Sequence, residues 1–120
     1  MAYTYNIRKR FSSAHFLEGY AGDCARLHGH TYQVEVLFRV QDLDAQGLGV
    51  DFRDLDSQVK ESIDKLDHFL LNDIKDIGNP TSENLARFIF NDVATGSEHS
   101  QVVAVRVYEN EDRYVEYQTD

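Results

Sequence analysis

A chain of 120 residues with 42% hydrophobic content, seven Tyr and seven Phe supplies one core, so a single domain over residues 1–120 is expected. The net charge of −9, from 12 basic against 21 acidic residues, argues against nucleic acid and anionic membrane as partners, since both demand clustered Lys and Arg. A lone cysteine, Cys24, excludes an internal disulfide, and without an apolar run of about 18 residues, or an apolar stretch between Met1 and Arg10, the expected location is the cytosol.

Tyr3, Tyr5 and Ile7 alternate with polar neighbours and predict a strand to Phe11 that runs on through Ser12, Ser13, Ala14 and His15. Glu18 to Arg26, with Gly19, Gly22 and Asp23, reads as a loop. From His28 to Val40 the period is strictly two, with Tyr32, Val34, Val36, Phe38 and Val40 on one face. Between Asp54 and Leu66 the period lengthens: Leu55, Val59, Ile63 and Leu66 form one helical stripe, with Asp51 or Asp54 as cap. Asn79, Pro80, Thr81 and Ser82 announce a second helix carrying Leu85, Phe88, Ile89 and Val93, ended by Thr95 and Gly96. Period two returns with Val103, Val105 and Val107, a turn at Asn110, Glu111 and Asp112, and a last strand through Tyr114 and Tyr117. Strands grouped at both ends of two helices predict an α+β fold, an antiparallel sheet covered on one face. Two open edges and a bare sheet face in so small a chain predict a homo-oligomer.

The densest chemistry lies between Cys24 and His30. His28 and His30, two apart on a strand, present imidazoles to the same side, and His15 can add a third nitrogen if the first two strands pair. Three neutral imidazoles with one vacant position suit catalytic Zn2+. Cys24 fits a small buried residue, a thiolate base beside a cation and Arg26, or a fourth ligand that would close the site. Asp67 and His68 can form an acid–base pair only in irregular backbone, because adjacent side chains of a regular element diverge. Glu109 ends a strand, where its carboxylate can accept two parallel N–H groups or simply face solvent. His99 reads as a solvated loop residue.

Phe11–His15, Cys24–Tyr32 with His28-Gly29-His30 at its centre, Val50-Asp51-Phe52, Leu66-Asp67-His68 and Asn79–Asn84 together resemble the 6-pyruvoyl-tetrahydropterin synthase family over nearly the whole chain. The three residues between Cys24 and His28 are similar to its bacterial 6-carboxy-tetrahydropterin synthase branch, which serves queuosine biosynthesis. The resemblance implies the tunnelling fold, with subunits joined into barrels, usually a hexamer of two trimers, and active sites between subunits. It implies zinc on His15, His28 and His30, Cys24 as general base, Asp67 and His68 as a relay from a neighbouring subunit, and Glu109 as anchor of the pterin ring. The implied substrate is 7,8-dihydroneopterin triphosphate, cleaved to a 6-carboxy product with loss of acetaldehyde and triphosphate, with Arg8, Lys9, Arg10 and Arg26 as candidates for its phosphates. Asn110 stands where the family commonly has Thr, and Glu111 offers a second carboxylate.

Other expectations compete. Triphosphate elimination alone would give the 6-pyruvoyl product. A non-catalytic zinc or pterin module would have Cys24 closing the metal site. A cupin-like protein shares Gly22, His28, His30 and Glu35, but the later glycine and second motif are absent and two central helices do not suit an all-β barrel.

Overall fold

The computed structural model describes residues 2–96 and 101–119, so His99 lies outside the described residues. Strands β1 (Tyr3–His15) and β2 (His28–Val40) are followed by helices α1 (Phe52–Asp64) and α2 (Ser82–Thr95), then strands β3 (Gln101–Asn110) and β4 (Arg113–Gln118). Single 3-10 turns sit at Asp23–Ala25 and Leu71–Asp73. The sheet runs β1-β2-β3-β4 with every pair antiparallel. No helix among the described residues is long and apolar enough to cross a membrane.

Both helices cover the face that carries Ile7, Phe11, Tyr32, Val34, Val36, Phe38, Val105 and Val107. Against it α1 sets Leu55, Val59 and Ile63, and α2 sets Leu85, Ala86, Ile89, Phe90 and Val93. Asp51 is the cap of α1, accepting from the Arg53 N–H at 2.9 Å. Leu66 stays buried beyond the helix end, where the backbone tightens: Lys65 N–H donates to Ser62 and Leu66 N–H to Ile63. Thr81 caps α2 through the Asn84 N–H.

Two positions depart from the sequence periodicity. Phe88 packs only partly against the core while Phe90 is buried, edge-on to Tyr117, because α2 must also cover β4. Val103 leaves the core face: register shifts between Leu37 and Phe38, so that Leu37 opposes Ala104 but Phe38 opposes Val102. Such a bulge puts two residues against one and turns Val102 inward in place of Val103.

The uncovered sheet face carries Asn6, Arg8, Gln33, Arg106 and Tyr108, with Glu35 only 2% exposed at its centre. Burial alone would raise this carboxyl, but donors from Tyr108, Asn6 and Arg8 hold it below its ordinary value of 4.5. Glu35→Gln is expected to cost about 2 kcal/mol at neutral pH, the order for hydrogen bonds to a charged group. Because the folded value is depressed, that contribution is complete above pH 4.5 and is lost as pH falls through the folded value. Urea midpoints of the wild type and Glu35→Gln should therefore converge as the medium is acidified.

Candidate metal centre

The register that pairs β1 with β2 places His15 opposite His28 and Ser13 opposite His30, at the end of the sheet where the two strands meet the loop between them. Alternation turns His15, His28 and His30 toward the helix-covered face. Their donor nitrogens all lie within 4.8 Å of one another. Nε2 of His28 is 3.0 Å from Nε2 of His15 and 3.0 Å from Nε2 of His30. The three rings stand steeply to each other, at 65°, 79° and 81°.

Outer contacts fix which nitrogens face inward. His15 Nδ1 is 2.8 Å from the Pro80 carbonyl and His28 Nδ1 is 2.6 Å from the Arg26 carbonyl. A carbonyl can only accept, so each Nδ1 carries hydrogen and, in a neutral ring, each Nε2 points a lone pair at the others. Burial lowers the His15 pKa, opposed in part by Pro80, and the neighbouring imidazoles lower it further. Burial likewise lowers that of His30, against a partial rise from Glu109. The neutral rings of His15 and His28, with Nε2 lone pairs 3.0 Å apart, repel unless a cation lies between them. Nitrogens at tetrahedral positions about 2.0–2.1 Å from zinc would be about 3.3 Å apart, close to the separation found. The donor set thus fits one small divalent ion.

Neighbouring segments stiffen this arrangement. Asn79 and Asn72 use their amides as backbone mimics, clamping Glu18 and Phe16 just beyond His15. The Tyr32 hydroxyl lies 3.1 Å from His15 Nδ1, and burial, then Glu109 and Cys24, push its pKa upward. The Glu109 carboxylate raises the pKa of His15 and of His30 against the effect of burial, and its Oε1 accepts from the Ser82 hydroxyl at 2.6 Å. Glu111 lies instead beside Arg10, Gln33 and Tyr108.

Cys24 is half-buried in the 3-10 turn between the histidine-bearing strands, and its carbonyl accepts from Leu17 N–H at 2.8 Å. No thiol joins the imidazole group among the described residues. Asp67 and His68 do face each other, Nδ1 to Oδ1 at 3.0 Å, because His68 adopts φ 63°, off any regular element. They lie on the outer edge of β1, where Ser12 N–H and then His68 hold the Asp67 carboxyl below its ordinary range. The His68 side chain is 82% exposed and stands outside the imidazole group of its own chain. Of the basic candidates, Arg8 is paired with Glu35 and Lys9 with Asp56, whereas Arg10 and Arg26 make no ion pair among the described residues.

The Pro80 carbonyl and Ser82 were not legible as site residues. A carbonyl has no side-chain signature, and Ser82 meets Glu109 across 27 residues of sequence.

Residues 4–120 match the family described as 6-pyruvoyl tetrahydropterin synthase. A protein of Archaeoglobus fulgidus is 40% identical over 110 residues, covering 92% of this chain and 90% of its own. A Haemophilus influenzae relative named 6-carboxy-5,6,7,8-tetrahydropterin synthase is 35% identical, covering 95% of this chain and 99% of its own. Among solved structures, the 6-pyruvoyl tetrahydropterin synthase of Caenorhabditis elegans superposes with a TM-score of 0.87 at 25% identity, over 100% of this chain and 97% of that one.

Proposed function

The chain belongs to the 6-pyruvoyl tetrahydropterin synthase family, and from that premise we propose that it converts 7,8-dihydroneopterin triphosphate to 6-carboxy-5,6,7,8-tetrahydropterin, releasing acetaldehyde and triphosphate. The observation that carries the proposal is the convergence of three imidazole nitrogens within 4.8 Å of one another. Zinc is the ion assigned to His15, His28 and His30, since nitrogen donors and a three-ligand set suit it. Bound there, the ion would supply Lewis-acid chemistry, making C–H protons next to the substrate's side-chain oxygens more acidic.

The remaining work falls to side chains of the protein. Cys24 takes a proton from the substrate side chain, and His68, oriented by Asp67, moves a second. Glu109 accepts two parallel N–H groups from the pterin's amino group and ring nitrogen, with Ser82 holding the carboxylate in that orientation. Arg10 and Arg26, the basic candidates without carboxylate partners among the described residues, hold the triphosphate. Asp67 and His68 serve a neighbouring copy in a hexamer of two trimers closed into a barrel through the edge of β4 and the part of the β1 edge ahead of Ser12, which agrees with their outward setting. A cytosolic, single-domain enzyme supplying queuosine-type biosynthesis completes the proposal.

Incubating the zinc-loaded protein with 7,8-dihydroneopterin triphosphate and weighing the products tests it. The 6-carboxy product with acetaldehyde is expected. A 6-pyruvoyl product would replace the proposal with simple triphosphate elimination, the activity for which the C. elegans protein is named. No turnover by fully metal-loaded protein would favour a binding module.

A further inference from the structure

His15 and His28 each rest Nδ1 on a backbone carbonyl, but Nδ1 of His30 has no hydrogen-bond partner among the described residues. Directly across the ladder from His30 stands Ser13, 8% exposed, and its buried Oγ also has no partner. Opposed residues of an antiparallel pair project to the same face with Cβ atoms about 4.5–5.5 Å apart, so a serine rotamer change brings such a hydroxyl to the imidazole. With an ion on Nε2, His30 Nδ1 carries the ring hydrogen, and a buried hydroxyl without a partner on the facing position can supply the outer acceptor that the other two histidines already possess.

We propose that the Ser13 hydroxyl accepts the Nδ1 hydrogen of His30 when the site is loaded, so that Nε2 of His30 joins those of His15 and His28 as a ligand. Ser13 is thus a positioning residue, acting through His30. The inference rests on the three-imidazole reading of the site. It explains why a polar residue occupies a buried place between Phe11 and His15, where an apolar side chain would pack without an unsatisfied hydroxyl. The remaining oxygen lone pair and the hydroxyl hydrogen stay available, so the same group can hold the ring without competing for the ion.

The test compares the wild type with Ser13→Ala and Ser13→Thr, measuring Zn2+ affinity by chelator competition and thermal midpoints of the metal-free proteins. Ser13→Ala should bind zinc roughly 10- to 100-fold more weakly, the range for loss of a ligand's outer partner. Its metal-free midpoint should be unchanged or higher, because the hydroxyl is unpaired without the ion. Ser13→Thr, which keeps the acceptor, should restore affinity. In 15N-histidine spectra of the zinc-loaded wild type, a protected Nδ1–H of His30 should be visible and should be lost in Ser13→Ala. Equal affinity in wild type and Ser13→Ala overturns the inference alone, as does a metal-free midpoint that falls together with affinity. Failure of the wild type to bind zinc overturns the site reading with it.

Discussion

Replacing Cys24 with alanine is expected to lower kcat by roughly 10²- to 10⁴-fold, the contribution of a positioned proton-transfer group, while leaving the metal content unchanged. The two halves of this result come from one placement. The thiol sits on the short turn between the strands that carry the histidines, outside the group of converging nitrogens. A nearby cation favours the thiolate, which is the form able to remove a proton. Cys24→Ser keeps the shape but replaces the thiol with a far weaker acid, and a similar loss is expected. Alkylation of the wild type should proceed with metal bound. Loss of metal along with activity in Cys24→Ala, or protection of the thiol by the ion, would instead make the sulfur a ligand.

His28→Ala is expected to have the larger effect on the metal, because His28 is the member whose Nε2 lies 3.0 Å from both of the others. Its removal takes away one of the three converging nitrogens and leaves the other two without the ring between them. The affinity loss should exceed the roughly 10- to 100-fold that attends loss of an outer partner, and activity should fall to background. Stability reports the same event. An ion present at 100 times its dissociation constant stabilises the wild type by about 2.7 kcal/mol, or about 10 °C in Tm for a chain of this size. Chelation should reverse that shift, and His28→Ala should show neither the gain nor the loss. A metal-dependent midpoint in His28→Ala equal to that of the wild type would remove His28 from the site.

Much of the fold was legible because its elements are strongly periodic. β2 spans His28–Val40 as its alternation predicted, and α1 follows the stripe of Leu55, Val59 and Ile63. The bulge at Val102 and Val103 was not legible, since a one-residue slip depends on how β3 must cross β2 rather than on either segment's pattern. Nor was the burial of Glu35, whose partners Arg8 and Tyr108 lie 27 and 73 residues away. Within the site, the spacing of His28 and His30 showed only that both imidazoles reach one side of a strand, and bringing His15 to them needed the pairing of consecutive strands that the fold supplies. Asp67 and His68 met the stated requirement for irregular backbone through a left-handed residue. The parts that escaped were a carbonyl at Pro80, a hydroxyl at Ser82 and the pairing of Ser13 with His30, all defined by three-dimensional register.

Loading the metal-free protein with Co2+ and recording its visible spectrum tests the shared-ion centre most directly. One cobalt per chain is predicted, with the intense visible absorption of a four-coordinate nitrogen site, no sulfur-to-cobalt charge-transfer band, and a spectral change when 7,8-dihydroneopterin triphosphate fills the open position. Cobalt bound below stoichiometry, or a sulfur-ligated spectrum that ignores the substrate, would contradict the account.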